Sequence, residues 1–171
     1  LLKALYDRKF EKVLVDADAL TVVAESGLRL HRSWIMTPHA GELSRLIDVP
    51  AREIEADRFR YAREAAEKFG CIVVLKGFRT VVTDGARTTV ISSGNAALAK
   101  AGSGDVLAGM ITGLLAQEMK PFSAACLGAY LHGRLADAWV KSGRDTLSLE
   151  PSDLAEALPL LIRRIREGGD A

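Results

Sequence analysis

Cysteine is scarce, at only two of the 171 residues, which argues against a disulfide framework or a cysteine metal centre. Cys71 stands at the start of an apolar run and Cys126 among alanine and leucine. Both positions are typical of small, buried hydrophobic side chains. The sequence therefore predicts neither a disulfide nor a cysteine metal site, and reduced cysteines fit a cytoplasmic setting.

The sequence also lacks a charge excess and a long apolar run. Its 23 basic and 22 acidic residues are interspersed and leave a formal charge of +1, so no basic stripe marks a nucleic-acid or membrane-surface partner. No apolar run approaches the length of a membrane span, and charges alternate too early in the opening LLKALYDRKFEK for a signal sequence. We therefore expect chemistry on small molecules.

What the sequence does contain is enough apolar material for a core. Apolar residues make up 49% of the chain and charged residues 26%, a balance typical of a folded globular domain of this length. Neither a repeat nor a low-complexity tract or internal linker divides the chain. We expect residues 1–171 to form a single domain.

Short apolar runs alternate with helical patterns along the chain. The runs are typical of buried parallel strands, except that the last two are joined through Asp84-Gly85 and indicate a hairpin. The predicted strands are Lys12–Asp16, Trp34–Met36, Cys71–Leu75, Arg79–Thr83 and Thr88–Ser92. Helices are predicted in the opening residues, over residues 19–30, 41–47 and 51–69, and from Asp105, Pro121 and Pro151. This alternation predicts a three-layer α/β fold with a mostly parallel sheet and an antiparallel hairpin at one edge.

Polar side chains stand where the predicted parallel strands end. Asp16 and Asp18 follow the first strand, His39 the second and Lys76 the third. Parallel strands would bring them to the edge where open α/β sheets bind ligands. A lysine there can neutralise phosphate, and a histidine can hold a polar ligand near neutral pH. The structural alternatives are that either aspartate caps the next helix and that the lone histidine and lysine are solvated.

The most informative stretch of the sequence is GNAALAKAGSGDVLAGMITG, from Gly94 to Gly113. Its small-residue loop ends in Gly102-Ser103-Gly104 and leads through Asp105 into a helical run of apolar residues. Free N–H groups at a helix N-terminus make an anion site, and glycine lets the backbone approach a phosphate closely. The helix dipole also favours the ionised form of Asp105. The alternative is that Asp105 only caps its helix and the glycines only turn the chain.

Two further features are interpreted as structural. The opposite charges at helical spacing over residues 51–69 are typical of a solvated helix face. His132 lies in the alanine- and glycine-rich segment after Pro121, and we expect it to be a core or interface histidine rather than a ligand.

Four segments, in this order and at these separations, resemble the ADP/ATP-dependent NAD(P)H-hydrate dehydratase family of the ribokinase-like superfamily. They are VDADAL, TPHAGEL, VVLKGFRTVV and GNAALAKAGSGDVLAGMITGLLAQ, and the resemblance runs from about Val13 to the C-terminal helix. It implies a ribokinase-like fold and a repair enzyme that converts hydrated NADH or NADPH back to NAD(P)H. The implied co-substrate is ADP, or else ATP, and the implied assembly is a homo-oligomer.

The resemblance also implies roles for individual residues. His39 matches the histidine of the family's PHxGE motif, which contacts the hydrated cofactor. Asp105 matches the aspartate that contacts the substrate and acts as the base. The implied nucleotide-binding residues are Lys76, Gly77, Phe78, Arg79 and Thr80 of the KGxxT segment, together with Gly102, Ser103 and Gly104.

Two departures from the family pattern stand out. Lys100 stands beside the phosphate loop where many members have a small residue, and it either contacts a phosphate or points to solvent. The leading part of the family's domain, with its glycine-rich GSxxYxGA segment, is absent, so we expect this chain to represent the C-terminal portion of the domain.

Two other functions remain open on the sequence alone. A GxGD loop also serves small-molecule kinases of the same superfamily, which would release a stable phosphate ester instead of free phosphate. A nucleotide-binding subunit without turnover would bind AMP or ADP and behave unchanged after Asp105→Asn. The dehydratase chemistry needs a divalent cation, Mg²⁺, bridging the phosphates, and the lack of a dedicated metal cage is usual for that ion.

Overall fold

The chain folds around a five-stranded sheet, seen in a computed structural model that describes residues 1–168. The end of the domain predicted over 1–171 lies outside that range. The strands lie in chain order as β1 (Leu14–Val15), β2 (Ile35–Met36), β3 (Ile72–Leu75), β4 (Val81–Thr83) and β5 (Thr88–Val90). β1, β2 and β3 are parallel, and β4 and β5 continue the sheet antiparallel. The predicted strand directions are confirmed, although each strand is shorter than predicted.

Helices cover both faces of the sheet. They are α1 (Leu2–Asp7), α2 (Asp18–Ser26), α3 (Ala40–Ile47), α4 (Ala51–Ala56), α5 (Arg58–Phe69), α6 (Ser103–Ala116), α7 (Pro121–Lys141) and α8 (Pro151–Arg166). Short 3₁₀ turns lie at Ala96–Leu98 and Thr146–Ser148. Among residues 1–168, no helix is long and apolar enough to cross a membrane.

Side-chain alternation along the strands separates two cores, because neighbouring residues of a strand point to opposite faces. Met36 and Val73 are buried against α2–α5 on one face of the sheet. Ile35 and Ile72 are buried against α6 and α7 on the other. A further cluster joins α8 to α6 and α7. The predicted three-layer arrangement is confirmed.

The single helix predicted over residues 51–69 is wrong, because Asp57 divides it. Asp57 has non-helical dihedral angles (φ −142°, ψ 68°), and its carboxylate accepts a hydrogen bond from the Arg60 N–H at 3.1 Å. Aspartate competes for backbone N–H groups in this way, so it favours a helix N-terminus over a helix interior. The chain therefore forms α4 and then restarts as α5.

Small residues of α7 are used for packing within the chain. A Cβ atom at Gly128 would lie 2.6 Å from Ile111 Cγ1, so glycine is what lets α6 and α7 approach there.

Cys71 is buried, and burial raises the pKa of its thiol to about 12. Burial also raises the pKa of Cys126, which is half-buried. Both cysteines are free.

Candidate active site

Three parallel strands bring the predicted strand-end residues together. Asp16 follows β1, His39 follows β2 by three residues, and Lys76 follows β3 directly. His39 and Lys76 form a parallel bridge, in which the Lys76 N–H donates to the Pro38 carbonyl at 2.8 Å. The expectation that Asp16, His39 and Lys76 share one edge of the sheet is confirmed.

Lys76 is held between two carboxylates at this edge. Its Nζ lies 2.9 Å from Asp16 Oδ1 and 3.6 Å from Glu42 Oε2, and all three side chains are at least four-fifths buried. Neither Asp16 nor Asp18 caps α2, because the N-cap is Ala17 and no side chain bonds to that helix end. Asp16 instead fixes the position of the lysine ammonium.

His39 begins α3 and forms a reciprocal capping arrangement with Glu42. Its Nδ1 accepts hydrogen bonds from the N–H groups of Gly41 at 3.0 Å and Glu42 at 3.3 Å. The Glu42 carboxylate accepts from the His39 N–H at 2.8 Å. With Nδ1 used as an acceptor, the proton of the neutral ring lies on Nε2. The ring is more than half exposed and available to a polar ligand.

The glycine loop forms a helix N-terminus as predicted. Gly102 is the N-cap of α6 with φ +84°, a left-handed conformation that glycine adopts without strain. No side chain caps this end, and the Ser103 N–H donates to the Lys100 carbonyl at 3.3 Å. The next amides, those of Gly104 and Asp105, and the helix dipole are left to act on an anion.

His132 contacts this loop from α7. Its Nε2 lies 3.0 Å from Ser103 Oγ, and both residues are buried. Burial lowers the pKa of His132 to about 4, so the ring is neutral near pH 7. The prediction of a core histidine is right about its burial, but it missed that the ring lies on the wall of the site.

Asp105 lies in the first turn of α6 and is exposed. Its carboxylate makes no hydrogen bond or ion pair with any residue among 1–168. The alternative that Asp105 caps its helix is therefore not observed. The carboxylate is also not part of the cavity wall, although the adjacent Gly104 is.

The turn after β3 is supported from beneath by Arg58. The Arg58 guanidinium donates to the Leu75 carbonyl at 2.8 Å, and a Cβ atom at Gly77 would lie 2.8 Å from Arg58 Nη1. Above it, Phe78 is 78% exposed, with the Arg79 guanidinium 5.3 Å from its ring centroid. The turn therefore presents an aromatic and a cationic side chain at the rim.

One cavity of about 640 Å³ joins these elements, a size typical of small-molecule sites. Of the predicted site residues, Gly102 and Asp105 lie outside its wall. Those that line it are His39, Lys76, Gly77, Phe78, Arg79, Thr80, Ser103 and Gly104. Sequence reasoning missed the wall residues Ser93, Gly94, Asn95, Ala96, Leu98, Ala99, Leu107, Ala129, His132 and Gly133.

Lys100 also lines the cavity, and the alternative that it only points to solvent is not observed. Its Nζ lies 2.7 Å from Glu150 Oε1, at the N-cap of α8. The ion pair ties the loop before α6 to the start of α8.

A bound divalent cation would depend on its ligand's own oxygens. Within residues 1–168, no group of three or more His, Cys, Asp or Glu side chains is arranged to hold a metal ion. Asp16 and Glu42 are already paired with Lys76, whereas the Asp105 carboxylate is unengaged. One free carboxylate in the first turn of α6 is compatible with Mg²⁺, which commonly binds through substrate phosphates and few protein carboxylates.

Comparison with known proteins places nearly the whole chain in one family. The family model described as NAD(P)H-hydrate dehydratase matches residues 2–160, which include every predicted site residue. A bifunctional NAD(P)H-hydrate repair enzyme of Moorella thermoacetica is 40% identical over 98% of this chain and 32% of that protein. An ADP-dependent (S)-NAD(P)H-hydrate dehydratase of Neisseria meningitidis is 41% identical over 90% of this chain and 54% of that protein. The chain thus spans a third to a half of these relatives.

Solved structures agree with this assignment. The ADP/ATP-dependent NAD(P)H-hydrate dehydratase of Bacillus subtilis, co-crystallised with ATP and Mg²⁺, matches with a TM-score of 0.80 at 34% identity, over 90% of this chain and 55% of that one. A ribokinase-like superfamily protein of Enterococcus faecalis matches with a TM-score of 0.81 at 29% identity, over 95% and 57% of the two chains. The ribokinase-like fold is therefore confirmed.

Proposed function

Because the chain belongs to the NAD(P)H-hydrate dehydratase family, we propose that it dehydrates hydrated NADH or NADPH with an adenine nucleotide as the driving co-substrate. The proposed nucleotide is ADP, the one named for the Neisseria relative. The observation that carries the proposal is that the uncapped N-terminus of α6 and the Lys76–Thr80 turn face one cavity of about 640 Å³. A helix N-terminus beside basic side chains suits a polyphosphate.

The chemistry requires a better leaving group than hydroxide. In the first step, the ring hydroxyl oxygen of the hydrated cofactor attacks the terminal phosphorus of ADP, the P–O bond to AMP breaks, and the hydroxyl proton is lost. In the second step, the ring nitrogen's lone pair expels phosphate as the C–O bond breaks, and the neighbouring carbon loses a proton to form the double bond. The products are NAD(P)H, AMP and phosphate.

The residues of the site have separate tasks in this scheme. Asp105 accepts or orients the hydroxyl proton, a role that suits a carboxylate without another partner at a helix N-terminus. The unpaired N–H groups of Gly104 and Asp105 at the start of α6 stabilise charge on the transferring phosphoryl group, which is where catalysis of such transfers mainly lies. His39 at the rim holds the hydrated cofactor. Mg²⁺ would be held mainly by the phosphate oxygens and would neutralise their charge.

The test is recovery of NADH absorbance from hydrated NADH, with Mg²⁺ and either ADP or ATP, alongside an assay for free phosphate. We expect ADP-dependent recovery with release of phosphate. Asp105→Asn should lower the rate by about 100-fold or more, the contribution typical of general acid–base catalysis. Glu53→Gln is the matched control, because Glu53 is an acidic residue in the first turn of another helix, α4.

Each of the other outcomes points to a different function. A stable phosphorylated product without NADH recovery would identify a kinase. ADP binding without turnover, unchanged in Asp105→Asn, would identify a nucleotide-binding subunit. Either result would overturn the proposed activity.

We also propose that the protein acts in the cytoplasm as a homo-oligomer. Two free cysteines fit a reducing compartment. Leu160, Ile162 and Ile165 of α8 are each more than a third exposed and provide apolar surface for association. Light scattering of the purified protein would give its assembly state.

A further inference from the structure

One wall of the cavity is held by a single face of α7. We call residues 93–99 the wall segment, and six of its seven residues line the cavity. Ser93 Oγ donates to the Tyr130 carbonyl at 2.9 Å. A Cβ atom at Gly133 would lie 2.6 Å from the Ser93 carbonyl oxygen, so the two backbones are in close contact. Tyr130, Gly133 and Asp137 are spaced by three and four residues and so lie on the same side of the helix.

Asp137 organises the wall segment with both of its carboxylate oxygens. Oδ2 accepts from the Gly94 N–H at 3.0 Å, and Oδ1 accepts from Asn95 Nδ2 at 3.1 Å. Asn95 Oδ1 in turn accepts from the Ala97 N–H at 3.0 Å and so begins the 3₁₀ turn. Gly94 has φ +107°, a conformation that side-chain-bearing residues rarely adopt. The hydrogen bonds therefore fix an otherwise unfavourable backbone path.

Asp137 itself is not part of the cavity wall, so it acts through the residues that it holds. We propose that Asp137 is a positioning residue for nucleotide binding: it sets the wall segment in the shape that receives the nucleoside half of the nucleotide. The ligand in this inference rests on the proposed function, whereas the hydrogen-bond network does not.

The distribution of side chains around the cavity favours the nucleoside half for this wall. Ala96 and Leu98 of the wall segment face the cavity together with Leu107 and Ala129. These apolar side chains suit a flat heterocyclic ring. The cationic Lys76–Arg79 turn and the α6 N-terminus line the remainder and suit phosphates.

The network is directional, so it can be broken and repaired by exchanging two residues. In Asp137→Asn, one amide NH₂ must face either the Gly94 N–H or the Asn95 amide. Turning the Asn95 amide over would only move the conflict to the Ala97 N–H. In Asn95→Asp, two carboxylates face each other. In the double variant, the new amide at position 137 accepts from the Gly94 N–H and donates to the new carboxylate at position 95. The other oxygen of that carboxylate then accepts from the Ala97 N–H, so every donor again has an acceptor.

The experiment measures the Kd of ADP and of pyrophosphate by calorimetry for the wild type, both single variants and the double variant. Each single variant should weaken ADP binding by about tenfold, the effect of one or two lost hydrogen bonds. The double variant should recover most of that loss. Pyrophosphate binding should stay unchanged throughout, because it contacts only the phosphate half. Asp84→Asn is the matched control, since Asp84 accepts two backbone N–H groups in the β4–β5 turn away from the cavity.

The outcomes separate this inference from the proposed function. Equal ADP affinity in the wild type and Asp137→Asn would overturn the positioning role while leaving the nucleotide site intact. Parallel losses of ADP and pyrophosphate binding, without recovery in the double variant, would show general damage and overturn it as well. Absence of ADP binding in the wild type would overturn the proposed function and, with it, the ligand assigned here.

Discussion

The two halves of the candidate site are built in different ways. The sheet-edge half (Asp16, His39, Glu42 and Lys76) consists of residues that directly follow parallel strands or begin a helix there. The α7-supported half (residues 93–104 with His132 and Asp137) owes its shape to contacts from a helix that lies later in the chain. Topology and local capping alone place the first half, whereas the second needs the tertiary packing of α7.

The two halves also differ in how they handle charge. At the sheet edge, an ammonium lies between two carboxylates, so removal of one member leaves the others uncompensated. In the α7-supported half, the buried histidine is neutral, Lys100 is paired with Glu150, and the helix amides add positive potential. Substitutions in the two halves should therefore change the stability of the protein for different physical reasons.

The largest stability effect is expected at the sheet edge. Lys76→Met should lower the free energy of unfolding by about 3 kcal/mol, because Asp16 and Glu42 would be left close together and mostly buried. Urea unfolding measures this change. Arg63→Met, which breaks an exposed pair with Glu67, should leave the midpoint nearly unchanged. Equal effects of the two substitutions would show that the sheet-edge charges are solvated.

The next effect is a pH dependence from the α7-supported half. The pKa of His132 is about 4 in the folded protein and 6.5 ordinarily, so the unfolded state binds the extra proton first as pH falls. Stability should therefore be insensitive to this group above about pH 7 and fall by about 2 kcal/mol between pH 7 and pH 5.

Unfolding free energies of the wild type and His132→Gln across that pH range isolate the contribution of His132 to stability. Glutamine can still bond Ser103 but does not titrate, so its curve should lose this slope. Parallel curves for the two proteins would contradict a neutral, buried His132.

A smaller effect separates packing from binding along α7. Gly133→Ala and Gly128→Ala each place a Cβ atom in close contact, against Ser93 and Ile111 respectively. Overpacking should cost about 1 kcal/mol of stability in Gly128→Ala, where the Ile111 side chain can move, and more in Gly133→Ala, where the new atom meets the Ser93 backbone. Only Gly133→Ala should also weaken ADP binding, because its neighbour Ser93 belongs to the wall segment. Equal ADP affinity in both variants would mean that α7 does not shape the site.

Sequence reasoning reached the sheet-edge half because its signals are local. An apolar run followed by a polar residue indicates a buried strand and the point where it ends. The alternation of these runs with helical patterns indicates that the strands are parallel. That pattern predicted that Lys76 and Asp16, 60 residues apart, lie at the same edge, but it did not predict their ion pair or the contact with Glu42. The helix N-terminus at Gly102 was also predictable, because glycine and a following apolar period mark it.

The α7-supported half was out of reach because its contacts have no sequence period. Helical spacing identifies a buried face of α7 but not which loop it faces, so His132 was assigned to the core and Asp137 was overlooked. The ion pair between Lys100 and Glu150 was not predicted, because only the packing of α8 brings Glu150 near. The break at Asp57 was missed because opposite charges at helical spacing continue across it. The break itself comes from the Asp57 carboxylate, which accepts the Arg60 N–H.

An ADP titration followed by amide NMR tests most directly whether the Lys76–Thr80 turn, which adjoins the sheet-edge half, binds the same nucleotide as the α7-supported half. We predict that the amides of Gly77 and Thr80 in that turn shift together with those of Gly94 and Ser103 in the α7-supported half, with one common Kd. Shifts confined to one of these two groups, or two separate Kd values, would contradict it.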